Sequence, residues 1–377
     1  MKVLITGLSR KLGGIEKIIF DYISHIDLSG LEIGILCEYE TVCFEAEFAA
    51  LGCKIERVCS RKNPFAYYRE ILKVITEGRY EAVHLNILSC ANILPMLAAK
   101  RCAARLIAHS HNSDIPNGCN LTMLLRRFLH KMNRPYVSNA SNMKLACSTE
   151  AGVFMFGSKQ SFVVLNNAID TKKYAFNVEK RNSTRTKLGI NNRTVVFGHT
   201  GRFEEQKNQE FAIQVFAEYK KQNRDAKLVL VGTGSHEAKC RQLAEKLGIG
   251  DSVIFYGLAD KDAISFLLCA FDIFIFPSRF EGFGLSAVEA LCSGLPVIAS
   301  DAVSKEMDIT GTVSWLSLKD DLSVWAKKCE KLLQKQPDRK DASKIIEEKG
   351  YDIFCTANIL KDIYFGKQNE QQEETSV

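Results

Sequence analysis

The stretch FPSRFEGFGLSAVEALCSGLPVIASD, Phe276 to Asp301, combines two glutamates with a pair of closely spaced glycines. Its pattern predicts a buried strand, then a loop with Gly282 and Gly284, then a helix that begins near Leu285. Glycines let backbone N–H groups approach a ligand, and the N-terminus of a helix attracts anions. We therefore predict a ligand cradle formed by the following residues: Gly282, Phe283, Gly284 and Leu285.

Glu281 lies in this loop, and Glu289 lies about one turn inside the predicted helix. Because an ionised carboxylate only accepts hydrogen bonds, the two side chains suit the hydroxyl groups of one ligand. The alternative is that Glu281 merely complements the helix dipole and that Glu289 lies on a solvent-exposed face of the helix.

A second stretch, FGHTGRFEEQKN from Phe197 to Asn208, contains two cations at the end of a predicted strand. The strand brings Arg202 to its carboxyl edge, and Lys207 follows where the next helix should begin. Arginine offers a planar fork and lysine a point charge, so the pair suits two phosphate groups. The alternative is a pair of surface cations without a ligand.

Two further turns carry paired glycines. Gly13 and Gly14 lie in the loop GLSRKLGGIEK, and Gly232 and Gly234 lie in VGTGSHE, each between a predicted strand and a predicted helix. Such glycines permit close approach of a phosphate or an acceptor, but an ordinary tight turn explains them as well.

Two histidines lie in LIAHSHNSD, Leu106 to Asp114, at the end of another predicted strand. Because side chains alternate along a strand, His109 and His111 should project to the same side. Asp114 is the only nearby third ligand for a metal, so we predict no metal site here. A purely structural histidine is the remaining alternative.

These motifs resemble the retaining GT-B glycosyltransferases of family 4, also called group 1. FEGFGLSAVEA resembles the E-x7-E signature of that family, and GRFEEQKN resembles its G-R-x4-K-N motif. The resemblance covers almost the whole chain and is most specific from Phe197 to Asp301. LNNAID, Leu165 to Asp170, departs from the family's P-N-G-[IV]-D segment, and we expect Asp170 to be structural.

The resemblance implies a role for each residue. Glu281 would hold the donor sugar, Glu289 the nucleotide ribose, and Arg202 with Lys207 the diphosphate. A histidine would contact the donor sugar, and we assign His111, with His109 as the alternative. The glycines named above would lie beside the donor. The implied catalytic residues are His111, Glu281, Arg202 and Lys207.

Short β-branched runs alternate with helical patterns along both halves of the chain, which predicts α/β domains with parallel sheets. The predicted fold is GT-B, with two Rossmann-like, doubly wound domains that face a central cleft. We place the acceptor-side domain at residues 1–168 and the donor-side domain at 169–350. A helix at 351–366 should return to the first domain, and 367–377 should be disordered. The polar segment Asn166 to Arg193 should be the hinge.

Composition excludes several classes of protein. The 377 residues are 46% hydrophobic and 25% charged, as in globular proteins, and a net charge of +6 with no long basic block does not favour nucleic acid. The 13 cysteines form no C-x-x-C pair, so neither a disulfide framework nor a zinc cluster is expected. No segment is typical of a signal peptide or a membrane span, so we expect a cytoplasmic protein.

Asp260-Lys-Asp262 has the D-x-D form of metal-dependent glycosyltransferases, but it immediately precedes a predicted helix. We expect Asp260 to cap that helix. No metal or other cofactor is therefore predicted, and Arg202, Lys207 and helix N-termini should supply the positive charge.

The acceptor is less visible in the sequence. Residues 121–135 combine apolar side chains at helical spacing with four basic residues, which would suit an anionic membrane beside a lipid-linked acceptor. We expect instead that this helix packs its apolar face on the first domain. AHSHN and GRFEEQKN most resemble enzymes of bacterial exopolysaccharide or capsule synthesis.

The predicted reaction moves a hexose or N-acetylhexosamine from a nucleotide diphosphate sugar, with UDP expected, to a polysaccharide precursor or lipid-linked oligosaccharide. Two different functions would suit the same architecture: a nucleotide-sugar epimerase, and a non-catalytic nucleotide-sugar-binding module. A glycan phosphorylase would need a much longer chain.

Overall fold

The computed structural model describes residues 1–9, 13–115, 121–222, 225–335 and 338–367. The predicted disordered tail lies outside the described residues from position 368 onward, as do positions 10–12 of the N-terminal glycine loop. The chain divides into two compact units. The N-terminal unit comprises Met1–Ala168 with the segment from Ile353 onward, and the C-terminal unit comprises Ile169–Asp352.

The N-terminal unit contains a seven-stranded sheet in which all recorded pairings are parallel. The strands are β1 (Lys2–Thr6), β2 (Glu32–Cys37), β3 (Lys54–Arg57), β4 (Ala82–Ile87), β5 (Arg105–Ser110), β6 (Met143–Ala146) and β7 (Val163–Val164). Their order is β3-β2-β1-β4-β5-β6-β7. The central strands are apolar runs that are buried almost throughout, as expected for a parallel sheet covered on both faces.

Helices connect these strands. They are α1 (Gly14–His25), α2 (Glu45–Ala50), α3 (Pro64–Gly78), α4 (Leu94–Arg101), α5 (Leu121–Ala140) and α6 (Thr149–Phe156). A last helix, Ile353–Tyr364, belongs to the same unit and packs against α1.

The C-terminal unit repeats the scheme with a six-stranded parallel sheet. Its strands are β8 (Val195–Thr200), β9 (Ala226–Val231), β10 (Val253–Gly257), β11 (Ile273–Phe276), β12 (Val297–Ser300) and β13 (Ser314–Leu316). Their order is β10-β9-β8-β11-β12-β13. Because β8 and β11 are neighbours in the sheet, the loops that leave their carboxyl ends lie side by side.

Two helices of this unit precede its sheet, and the others connect or follow its strands. The helices are α7 (Thr171–Tyr174), α8 (Val178–Lys187), α9 (Gln209–Lys220), α10 (Glu237–Lys246), α11 (Lys261–Ala270), α12 (Leu285–Cys292), α13 (Leu322–Lys335) and α14 (Ala342–Glu348). The helix Ile353–Tyr364 of the N-terminal unit is α15. Short 3₁₀ turns cover Gly250–Ser252 and Lys305–Met307.

The segment Asn166 to Arg193, predicted to be the hinge, contains α7 and α8, which its mixed polar pattern does not indicate. The sequence of α8, VEKRNSTRTK, has no apolar stripe to reveal it. The helix packs instead through arginines: Arg185 is buried and donates to the Asp272 carboxylate at 2.5 Å, and Arg181 binds the other oxygen of Asp272. A polar segment can therefore form a regular helix when its cations pair with a partly buried carboxylate.

The expectation that residues 121–135 pack their apolar face on the domain is wrong. Five apolar side chains of α5 are exposed, and Leu121 and Phe128 have 81% and 59% of their surface accessible. The helix is held by its polar side instead, because Arg126 donates to Ser89 and Asn133 donates to the Cys90 carbonyl. The exposed apolar residues are Leu121, Leu124, Leu125, Phe128 and Met132.

Two α/β units with parallel sheets confirm the fold class predicted from the alternation of strands and helices. The cysteines that the structure describes form no disulfide bonds. Among the described helices, none has the length and apolar character needed to cross a bilayer.

Candidate functional site

Two loops of the C-terminal unit carry most of the predicted donor-binding residues. The first, 201–208, connects β8 to α9, and the second, 277–284, connects β11 to α12. They are tied by hydrogen bonds from Arg279 N–H to the Gln206 carbonyl at 2.8 Å, and from Gln206 Nε2 to the Phe280 carbonyl at 2.9 Å. The two loops therefore form one connected surface.

An ion pair joins the two predicted motifs directly. Lys207 Nζ lies 2.7 Å from Glu281 Oε1, and the two side chains have 19% and 9% of their surface exposed. The lysine nitrogen also lies 5.4 Å from the centre of the Phe276 ring. Because both charges are partly removed from water, their attraction is screened less than that of a surface pair.

Arg202 and Glu289 occupy different environments. Arg202 is exposed at the start of the first loop. Glu289 lies within α12 and has only 2% of its surface exposed. The alternative that placed Glu289 on a solvent-exposed helix face is therefore wrong, because the residue is buried.

The predicted cradle at the start of α12, Gly282 to Leu285, exposes its backbone more than its side chains. Gly282 is exposed, and no heavy atom would lie within 4 Å of a Cβ placed there. The Phe283 ring is buried and stacks on Tyr351 at 5.8 Å, while Leu285 packs against the core. Gly284 caps the helix in the left-handed conformation, with a φ of 89°. Phe283 and Leu285 can therefore meet a ligand chiefly through their backbone.

Gly232 and Gly234 allow close packing between loops of the protein itself. A Cβ on Gly232 would lie 2.2 Å from the Gly201 carbonyl oxygen, and one on Gly234 would lie 2.3 Å from that of Phe203. These distances are far below van der Waals contact, so any larger residue would push the loop that carries Arg202. The glycines thus have a structural reason to be present that needs no ligand.

The sequence reasoning missed two amides that hold the first loop. Asn208 Nδ2 donates to the Pro277 carbonyl at 3.1 Å. Gln209 is buried, and its Nε2 donates to the carbonyls of Gly201 and Arg202 at 3.3 and 2.9 Å. The only sequence signal was the run of amide residues around Lys207, which a helix start also explains.

The N-terminal unit contains a separate cluster of histidines on β4, on β5 and directly after β5. His109 is completely buried, and its Nδ1 lies 3.2 Å from His84 Nε2. His111 retains 8% exposure, and its Nε2 lies 2.8 Å from Asn86 Oδ1. His84 Nδ1 in turn lies 2.7 Å from the Tyr364 hydroxyl. Neither His84 nor Asn86 was identified from the sequence.

Burial keeps these histidines neutral. It lowers the pKa of His84 and of His111 to about 3, and it lowers the pKa of His109 well below its usual value. Among the described residues, no three histidine, cysteine or acidic side chains are arranged to hold a metal ion.

The predicted cap at Asp260 is confirmed. Asp260 Oδ1 accepts a hydrogen bond from the Ala263 N–H at 2.7 Å, at the start of α11. Asp262 pairs with Lys173 at 2.6 Å. The expected structural role of Asp170 is also confirmed, because its carboxylate caps α7 by accepting from the Lys173 N–H.

The N-terminal glycine loop is described only in part. Gly13 precedes α1, Gly14 begins it, and a Cβ on Gly14 would meet no atom within 4 Å. Glu16 is buried, and its carboxylate accepts a hydrogen bond from the Ser9 N–H at 3.0 Å. This bond links the residue before the undescribed positions to the first turn of α1.

The family described as glycosyl transferases group 1 matches residues 180–349. The chain is 28% identical over 371 residues to EpsF of Bacillus subtilis, which is named as a putative glycosyltransferase, and the match covers 96% of this chain and 95% of EpsF. A GDP-mannose-dependent monoacylated alpha-(1-6)-phosphatidylinositol monomannoside mannosyltransferase of Corynebacterium glutamicum is 26% identical over 240 residues, 60% of each chain.

Solved structures of the same architecture include Alr3699/HepE of Anabaena in complex with UDP. It superposes with a TM-score of 0.79 at 19% identity, over 97% of this chain and 100% of that one. HepE has also been solved with UDP-glucose. The predicted GT-B fold is thereby confirmed.

Proposed function

We propose that the protein is a retaining hexosyltransferase of family 4, and the premise is that residues 180–349 match the family described as glycosyl transferases group 1. It transfers a hexose or N-acetylhexosamine from a nucleotide diphosphate sugar, with UDP as the proposed nucleotide, to a polysaccharide precursor or lipid-linked oligosaccharide. The observation that carries this proposal is the ion pair between Lys207 and Glu281, which joins a proposed phosphate ligand to a proposed sugar ligand.

Donor binding would exchange the partners of this ion pair. The diphosphate carries more negative charge than one carboxylate, so it binds Lys207 Nζ, and the exposed Arg202 side chain binds it from the same loop. Glu281 then accepts hydrogen bonds from hydroxyls of the sugar. Because Lys207 and Glu281 are already in contact, little rearrangement brings phosphate and sugar to adjacent sites.

The nucleotide end of the donor lies at α12 in this proposal. Glu289 lies within α12 and accepts hydrogen bonds from the ribose hydroxyls, since an ionised carboxylate is suited to accept them. Backbone N–H groups at the start of the helix, from Gly282 to Leu285, lie against the phosphates, where the helix dipole favours negative charge. The open space at Gly282 supports this placement.

In the reaction, the bond between the anomeric carbon and the phosphate oxygen breaks while the acceptor oxygen bonds to the same carbon on the same face. An oxygen of the leaving phosphate takes the proton of the acceptor hydroxyl. Lys207, Arg202 and the helix N-terminus stabilise the negative charge that develops on the leaving group. We propose that these groups act without a metal or another cofactor.

We assign the histidine that contacts the donor sugar to His111. His109 has no exposed surface and already binds His84, whereas His111 keeps a small accessible area at the end of its strand. Burial lowers the pKa of His111 and keeps its imidazole neutral. The residue would therefore form a hydrogen bond with a sugar hydroxyl and would not act as a cation.

For the acceptor, we propose that α5 docks the enzyme on an anionic membrane surface. Its exposed apolar residues recur at helical spacing, and the helix has four basic residues and no acidic one. Anionic lipid head groups complement that charge. The described cysteines form no disulfides, which suits a reducing compartment, so we place the enzyme on the cytoplasmic face.

The decisive experiment is release of the nucleoside diphosphate from a panel of UDP and GDP sugars, with and without candidate acceptors. A transferase releases UDP or GDP, and faster with acceptor, and it retains activity in EDTA. An epimerase would instead convert the sugar without release, and a binding module would do neither. Loss of activity in EDTA with recovery in manganese would contradict the metal-free mechanism.

A further inference from the structure

We propose that Asn86 is a positioning residue that fixes the tautomer of His111 and thereby makes His111 Nδ1 a hydrogen-bond acceptor for a hydroxyl of the donor sugar. This inference rests on the proposed function for the identity of the ligand. The contacts of the His111 ring that the structure describes, with Asn86 and His109, lie within the N-terminal unit.

The orientation of the Asn86 side chain follows from the carbonyl that it binds. Asn86 Nδ2 lies 3.0 Å from the Thr6 carbonyl oxygen, which can only accept a hydrogen bond. The other end of the amide, Oδ1, must therefore point to His111 Nε2, 2.8 Å away. Since Oδ1 is an acceptor, the proton of the imidazole lies on Nε2.

The position of Thr6 relative to Asn86 is set by the loop that follows β1. Gly7 has a φ of 103°, and a Cβ there would lie 2.4 Å from the Asn86 carbonyl oxygen. Only glycine therefore lets the chain leave β1 directly over Asn86. The contact between Thr6 and Asn86 thus lies at the carboxyl end of the central strands, where β1 and β4 are paired.

The opposite nitrogen of the ring is an acceptor without a partner. Burial lowers the pKa of His111 to about 3, so a neutral ring that carries its proton on Nε2 has a lone pair on Nδ1. Nδ1 is buried and has no hydrogen-bond partner among the described residues. A buried acceptor without a partner is costly, and a ligand hydroxyl would satisfy it.

Among the described residues, the titratable groups recorded beside His111 carry no charge that would change this state. The ring of His109 lies 4.1 Å from it between centroids, and behind His109 follow His84 and the Tyr364 hydroxyl. Burial lowers the pKa values of both histidines and raises that of Tyr364, so all three are neutral near neutral pH. His111 is therefore suited to accept a hydrogen bond and unsuited to act as a general acid.

The tautomer is tested by ¹⁵N NMR of the histidine-labelled protein, with the signal assigned through His111→Gln. We expect a single neutral species protonated on Nε2. In Asn86→Ala this preference should be lost, whereas Asn86→Asp keeps an acceptor for Nε2 and should keep the tautomer while it raises the pKa of His111. Asn139→Ala, an exposed amide of the same unit, is the control. An unchanged spectrum in Asn86→Ala overturns the inference.

The ligand is tested with the nucleotide sugar that the release panel selects and with its monodeoxy analogues. Asn86→Ala and His111→Gln should each lower kcat/KM about tenfold with the full donor, and neither should lower it further with the one analogue that lacks the recognised hydroxyl. Equal losses on every analogue overturn the acceptor role. If no donor is consumed at all, the proposed function fails, while the NMR result still decides the tautomer.

Discussion

At the scale of single residues, Lys207 and Glu281 come from loops 74 positions apart and meet at 2.7 Å. Neither side chain is fully buried, so the pair can open without the full cost of separating charges in a protein interior. The partial exposure of both partners is what makes them available to a charged ligand.

Replacing either partner should abolish transfer while the protein stays folded. For Lys207→Ala and Glu281→Gln we expect kcat/KM to fall at least about 100-fold, because each loses a group that binds the diphosphate sugar. Donor turnover and far-UV circular dichroism measure the two effects. Lys221→Ala removes an exposed lysine that pairs with Glu218 and should behave like the wild type. Activity near the wild-type level in either site variant would contradict the assignment.

Two glycines of the C-terminal unit should respond differently to replacement by alanine, because Gly234 is tightly packed and Gly282 lies in open space. Gly234→Ala should lower the free energy of unfolding of the C-terminal unit by about 1–3 kcal/mol, because the new methyl group meets the Phe203 carbonyl. Gly282→Ala has open space and should keep wild-type stability, yet weaken donor binding because the methyl group occupies the proposed phosphate approach. Urea unfolding and the KM for the donor measure these effects. Wild-type KM in Gly282→Ala would argue against the cradle.

At the scale of elements, α5 and α8 show how a helix can be held by polar contacts. The arginines of α8 bind Asp272 and carbonyls of α11, and arginine and asparagine side chains of α5 bind the loop after β4. Hydrophobic periodicity locates the face of a helix that is apolar, but it does not say whether that face is covered. In α5 the apolar face is the exposed one.

Membrane docking by α5 should depend on that exposed face. We expect the wild type to sediment with vesicles that contain anionic phospholipid, more weakly at high salt, and not with neutral vesicles. Leu125→Ser combined with Phe128→Ser should weaken binding about tenfold or more, because two apolar side chains no longer enter the interface. Phe65→Ser, which changes an exposed aromatic residue of α3, is the matched control. Equal sedimentation of all three proteins would refute docking through α5.

At the scale of the molecule, three buried histidines make the stability of the N-terminal unit depend on pH. His84, His109 and His111 lie together in the N-terminal unit, and burial lowers the pKa of each so that all three stay neutral. Once unfolded, each would take up a proton near pH 6.5. The unfolded state therefore binds more protons than the folded state between pH 6.5 and about 3, and stability must fall as the pH is lowered through that window.

Each histidine should contribute up to about 1.4 kcal/mol per pH unit to this loss. The measurement is the urea midpoint of the N-terminal unit at about pH 7, 6 and 5, followed by pulsed hydrogen exchange of β4 and β5. His84→Gln, which keeps a polar side chain between His109 and Tyr364, should show a shallower dependence than the wild type. A midpoint that does not change with pH in the wild type would contradict the neutral, buried state.

The sequence by itself determined the α/β class, most strands, and the loops that carry Arg202, Lys207, Glu281 and His111. It could do so because buried parallel strands are continuous apolar runs and because glycines and caps mark where helices begin. These signals are local, so they survive without knowledge of the partner elements. The capping role of Asp260 and the structural role of Asp170 were predicted for the same reason.

The tertiary structure alone decided which side chains touch and which faces are covered. The burial of Glu289, the exposure of the apolar face of α5, and the contact of Asn86 with His111 each depend on elements far apart in the chain. The sequence pattern gives the chemical type of each residue and its place in a helix or strand. Burial and hydrogen-bond partners depend instead on packing between elements. That packing is non-local, and no spacing of residues along one segment encodes it.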